Sequence, residues 1–70
     1  MYRFLKVDTA KLRQLRREAA LSQQELADLA GTTQETISRL ERGHHAARGS
    51  TLRRLAEVLG VEPKELMKGE

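Results

Sequence analysis

Two short apolar repeats on either side of a glycine constrain this chain more than any other feature. From Leu21 to Gly43 it reads LSQQELADLAGTTQETISRLERG. Leu26, Leu29 and Ala30 recur at i, i+3 and i+4, which gives a first helix one apolar face. Ile37, Leu40 and Glu41 repeat that spacing in a second helix. Gly31 stands between them, where a tight turn favours a residue that tolerates positive φ. Ser22 and Glu25 fit a capping box, and Leu21 with Leu26 fits a hydrophobic staple. Thr33 is placed to cap the second helix and Gly43 to stop it. The outward face of that second helix carries Gln34, Glu35, Ser38 and Arg39, side chains that can hydrogen-bond base edges.

The same signals predict three more helices. One begins after Asp8, with Val7 and Leu12 as its staple and Leu12, Leu15 and Ala19 along one face. A polar loop from His44 to Gly49 follows the glycine stop. The fourth helix starts near Ser50, turns Leu52, Leu55, Ala56 and Leu59 inward, and ends at Gly60. The fifth is short, with Pro63 at its first position and Val61 and Leu66 as a third staple. No strand-like alternation is expected after residue 7. Residues 1–7 form an N-terminal arm ahead of a single domain at 8–70, and they hold both aromatic side chains, Tyr2 and Phe4. Two readings of the arm stand: an extended segment that pairs with its copy in a dimer, or a cap in which Phe4 and Leu5 close the open end of the bundle.

Size and composition narrow the function. Seventy residues support a small helical core and no large catalytic cleft. No cysteine is present, so disulfides and thiolate zinc sites are out of reach. No long apolar run or signal-peptide pattern occurs, so the expected setting is cytoplasmic, without a membrane. His44 and His45 are adjacent with no third ligand nearby, and no metal or other cofactor is expected. No Ser-His-Asp or Cys-His set and no glycine-rich phosphate loop argues for an enzyme. The net charge of +3, mostly from arginine, favours a polyanionic partner.

The block LSQQELA, then ISRLERG, then LRRLAEVLGV at Leu52–Val61, resembles the phage-repressor and Cro-like regulators, also called the xenobiotic-response-element family. The resemblance runs from about Val7 to Met67. It implies an all-α, compact five-helix, lambda-repressor-like DNA-binding domain whose second and third helices form the helix-turn-helix. It implies a sequence-specific double-stranded DNA-binding regulator, a repressor on a two-fold-related operator. Gln34, Glu35, Thr36, Ser38 and Arg39 would then enter the major groove as base readers. Gln23, Thr33, Arg42, His44, His45 and Arg48 would contact phosphate. Arg16 and Glu41 would form a structural ion pair between the first and third helices. A homodimer through the last two helices, around Val58, Val61, Leu66 and Met67, or through the arm, is expected. No small-molecule ligand is expected in a chain with no separate ligand domain.

Three positions depart from the family pattern. Ala20 stands where glycine often ends the first helix, which predicts strain on the order of 1 kcal/mol. Thr32 replaces an apolar residue, and Arg48-Gly49 replaces a proline-containing entry to the fourth helix. A different class of function, an antitoxin that binds a toxin and autoregulates through DNA, shares the same domain; the chain carries no long tail to wrap such a partner.

Overall fold

Asp8 lies in extended backbone, and its carboxylate accepts a hydrogen bond from the Lys11 amide at 3.1 Å. That bond satisfies one amide that a helix start leaves without an intrahelical partner, and helix α1 follows over Thr9–Glu18. The computed structural model describes residues 4–43 and 46–68. Among them α2 spans Gln23–Ala30, α3 spans Gln34–Glu41 and α4 spans Gly49–Leu59. Strands β1 (Phe4–Lys6) and β2 (Ala46–Arg48) complete the regular structure, with a 3-10 turn at Pro63–Leu66.

Local chemistry sets the ends of the helical pair. Ser22 Oγ accepts from the Glu25 amide at 3.0 Å, and the Ser22 amide donates to Glu25 Oε1 at 2.8 Å, so the capping box is complete. The Ser22 backbone and hydroxyl bonds hold the Glu25 carboxyl below its ordinary pKa. Gly31 takes the left-handed conformation with φ +69, which lets the Thr32 amide reach back to the Ala27 carbonyl at 2.9 Å. Thr33 Oγ1 then accepts from the Thr36 amide at 3.2 Å and starts α3. Ala20 adopts φ 58, so the turn after α1 does carry the left-handed strain expected there.

The core lies where the helices converge. Leu12, Leu26, Ile37, Leu52, Leu55 and Leu66 are fully enclosed, with Ala27, Ala30 and Ala56 filling the close approaches. Helix α2 packs against both α3 and α4. Two-sided packing moves its buried stripe onto Leu26, Ala27 and Ala30, and Leu29 is left 62% exposed instead of joining the core face.

The five-helix expectation is corrected, among the described residues, to four α-helices and a small antiparallel sheet. The predicted fifth helix is the 3-10 turn, too short to add an α-helical hydrogen-bond ladder. Helix α4 starts at Gly49, one residue before Ser50, and α3 ends at Glu41, short of Gly43. Strand β2 occupies much of the expected polar loop. Its register with β1 is Phe4↔Arg48, Leu5↔Ala47 and Lys6↔Ala46. Leu5 and Ala47 face inward; Phe4, Lys6, Ala46 and Arg48 face out. Three residues rich in alanine give no readable alternation, and the pairing partner is remote in sequence. The other side of β1 is held by the end of the described chain: the Lys68 amide donates to the Lys6 carbonyl at 3.0 Å and the Asp8 amide to the Leu66 carbonyl at 2.8 Å. Within the described residues, 4–7 are therefore extended and paired within their own chain.

Candidate nucleic-acid interface

Helix α3 divides cleanly into two faces. Ile37, Leu40 and Glu41 are buried, while Gln34, Glu35 and Arg39 are exposed and Thr36 and Ser38 are half-buried at the margins. The helix is thus seated on the core by residues three and four apart, and the opposite stripe is offered to solvent.

Behind that stripe lies a polar network. Glu41 is only 3% exposed, yet its carboxylate takes Arg16 in a bidentate pair, Nε to Oε2 at 2.6 Å and Nη2 to Oε1 at 2.9 Å. Arg16 also donates to the Leu21 carbonyl at 2.9 Å, which ties α1 to the entry of α2. Gln23 Nε2 donates to Glu41 Oε1 at 3.1 Å, and Gln23 Oε1 accepts from Gln34 Nε2 at 2.8 Å. A continuous chain therefore runs from α1 through Glu41 and Gln23 to the first residue of α3. Burial pushes the Glu41 carboxyl up, the largest single influence. The hydrogen bonds from Arg16 and Gln23, with the charges of Arg16 and Arg13, outweigh it and hold Glu41 below the usual glutamate range. The bond to Glu41 raises Arg16 further above its already high value against the opposing effect of burial. Among the described residues no buried side-chain nitrogen or oxygen lacks a partner.

Known proteins share the sequence pattern and the overall fold. A helix-turn-helix family profile matches residues 12–66. The chain belongs to the Cro/C1-type helix-turn-helix family. It is 43% identical over 53 residues to an uncharacterised HTH-type transcriptional regulator of Sinorhizobium fredii, covering 76% of this chain and 69% of that one. Its fold is similar to the restriction-modification controller protein C.AhdI of Aeromonas hydrophila, with TM-score 0.78, 36% identity and coverage of 84% and 86%. It is also similar to the P22 c2 repressor, solved with a synthetic operator, with TM-score 0.83, 26% identity and coverage of 93% and 98%.

In this Cro/C1-type domain the helix-turn-helix is α2, the Gly31 turn and α3. The expected base readers lie together on or beside one face of α3. Arg39 Nε stands 4.0 Å from Glu35 Oε2, an exposed i,i+4 pair that aligns the two side chains. Thr36 is engaged with the cap, its hydroxyl 2.9 Å from that of Thr33. Of the expected phosphate contacts, Gln23 is half-buried at the start of α2 and Thr33 caps α3. Arg42 is exposed just beyond α3, with Nε donating to the Ser38 carbonyl at 3.4 Å, and Arg48 is exposed on β2. His44 and His45 lie outside the described residues. The Arg16–Glu41 pair is formed as the resemblance implied. Sequence reasoning missed Arg13, whose Nη2 donates to the Glu41 carbonyl at 2.7 Å and so caps the end of α3. Its position three residues before Arg16, on the same side of α1, was the available signal. Among the described residues no cluster of His, Asp or Glu could hold a metal ion, and no helix is long and apolar enough to cross a membrane.

Proposed function

We propose that this chain is a sequence-specific, double-stranded DNA-binding transcriptional regulator of the cytoplasm, a repressor that works as a homodimer on a two-fold-related operator. The observation that carries the reading is the exposed Gln34–Glu35–Arg39 stripe held from behind by the Gln23–Glu41–Arg16 chain. A base-reading helix needs side chains that are open to the groove yet fixed in direction.

Each residue then has a role. A glutamine amide carries two N–H groups and one acceptor oxygen. Gln34 gives one N–H to Gln23, and its second N–H with Oε1 matches the N7 and N6 edge of adenine. Arg39 matches guanine, and Glu35 accepts from cytosine or steers Arg39 through their i,i+4 pair. Thr36 and Ser38 flank the readers. Gln23, Thr33, Arg42, His44, His45 and Arg48 supply phosphate contacts that position the domain without reading sequence. One domain spans few base pairs, so two copies at two-fold-related half-sites supply the specificity. Leu66 is fully buried in its own core, so near the last two helical segments the apolar side chains open to a second copy are Val58, Leu59, Val61 and Met67, all half-buried, with the N-terminal arm as the alternative contact.

Titration across salt concentration tests the reading. A dimer touching roughly 6–10 phosphates should lose about 10³–10⁵ in affinity between 50 and 200 mM salt. A flat plot of log affinity against log salt would remove the DNA-binding function.

A further inference from the structure

The β1–β2 ribbon places a large apolar side chain where the reading helix has no use for one in the core. Phe4 is 64% exposed and sits on the outward face of β1, directly across from the exposed Arg48. Directly opposed side chains on one sheet face stand close enough to act as a unit. Lys6, two residues along, points the same way and is also exposed. A recess of about 290 Å³ is lined by Phe4, Ala46, Ala47 and Arg48 of this ribbon together with Thr32, Thr36 and Thr51. Thr36 belongs to α3 itself. The recess thus joins the ribbon to the margin of the face that α3 presents, and the ribbon carries an aromatic ring with two cations on the same side.

A lone exposed phenylalanine is ordinary. Here its surroundings select the occupant. Three threonines and Arg48 in the recess lining, with exposed Lys6 two residues from Phe4, suit an anionic, hydrogen-bonding surface and not an apolar protein face. The sugar-phosphate backbone of a duplex offers both parts at once: phosphates for Lys6 and Arg48, and the apolar edge of deoxyribose for the ring.

We propose that β1 is a second DNA-contacting element, with Phe4 packing on the deoxyribose backbone beside the bases that α3 reads and Lys6 contacting an adjacent phosphate. The assignment rests on the DNA-binding reading above and adds to it a strand outside the helix-turn-helix. Because sugars and phosphates look alike in every sequence, β1 grips and does not read. Shielding on the order of 60 Å² of ring from water corresponds to about tenfold in affinity. Losing the Lys6 contact lowers the salt slope by about 0.9.

The test uses the whole chain with a duplex selected from a random-sequence pool and a scrambled duplex of the same length. Phe4→Ala should weaken both duplexes by about tenfold with the salt slope unchanged. Lys6→Gln should weaken both and flatten the slope by about 0.9. The chain has no tryptophan, so Phe4→Trp gives a single emission probe at this site. Its emission should shift or quench when either duplex is added. Parent-like affinity of Phe4→Ala, or unchanged emission on saturation with duplex, overturns the role of β1 while salt-dependent binding by the parent leaves the DNA reading intact. Loss of self-association in Phe4→Ala at unchanged affinity per protomer overturns it in favour of a protein contact. Failure of the parent to bind any duplex removes both proposals.

Discussion

Gln34 gives one amide N–H to Oε1 of Gln23 at 2.8 Å, so the side chain that leads α3 is held by a side chain of α2. Gln23 is itself held by Glu41 at 3.1 Å. The direction of the Gln34 side chain is therefore tied, through Gln23, to the buried Glu41.

Loss of Gln34 should be felt on the preferred site and loss of Gln23 on every site. Gln34→Ala should cost about 1–3 kcal/mol on the preferred duplex and leave a scrambled one nearly untouched. Gln23→Ala should weaken both, through phosphate, and weaken the preferred one further because Gln34 is released. The double variant should be non-additive on the preferred duplex by about 0.5–3 kcal/mol. Additive losses in a double-mutant cycle would mean the amide pair plays no part in recognition.

Arg16→Met should destabilise the fold by about 3–5 kcal/mol, because it leaves the buried Glu41 carboxylate short of its main partner. For a domain of this size that is a fall in Tm of more than about 10 °C. Arg16→Lys should recover only part of the loss, since an ammonium cannot reproduce the bidentate geometry. Melting curves decide it, and a Met variant that melts with the parent refutes the helix-tethering role.

Acid should act through Glu41. Its folded pKa is depressed, so it contributes stability at pH above the unfolded value of about 4.3 and loses that contribution as pH falls through the lower folded value. Arg16 stays charged across that range. Urea midpoints of the parent should therefore drop more steeply than those of Glu41→Gln as pH falls below the unfolded value of about 4.3 towards the lower folded one. Parallel curves would assign the acid sensitivity to the other carboxylates.

Ala20→Gly should raise stability by up to about 1 kcal/mol. The left-handed backbone at φ 58 costs alanine roughly 1–2 kcal/mol, of which the greater unfolded freedom of glycine takes back part. Thermal melting should move up by a few degrees, and a lower Tm would show that the turn is not strained.

The sequence spelled out the helix-turn-helix because its signals are local. Ser22 with Glu25, Gly31, and Thr33 each act within four residues, and each forms the contact its chemistry demands. The same holds for Asp8 and Lys11. The ion pair of Arg16 and Glu41 was legible only through the resemblance, since nothing in either residue's neighbourhood names the other. What stayed hidden depends on remote partners. Strand β2 exists because Ala47 meets Leu5, and Leu29 is exposed because α4 reaches α2 from the far end of the sequence. The inward half of Gln23 was hidden for the same reason: a polar residue at a helix start reads as solvent-facing until Glu41 arrives beneath it.

The bonds from Lys68 to Lys6 and from Asp8 to Leu66 join opposite ends of the described chain. Each one closes a loop across most of the sequence, and that closure entropy must be met before the bond can form. The neighbouring α2 and α3 meet without such a delay. Loop-closure entropy therefore predicts nucleation in the helical pair and late pairing of β1. Hydrogen exchange should show the reverse order: amides of β1 are expected to open first, on sub-global fluctuations, and those of α2 and α3 only with the whole domain. If β1 grips DNA as proposed, a strand that opens independently of α3 would let the domain release the DNA backbone while α2 and α3 remain folded.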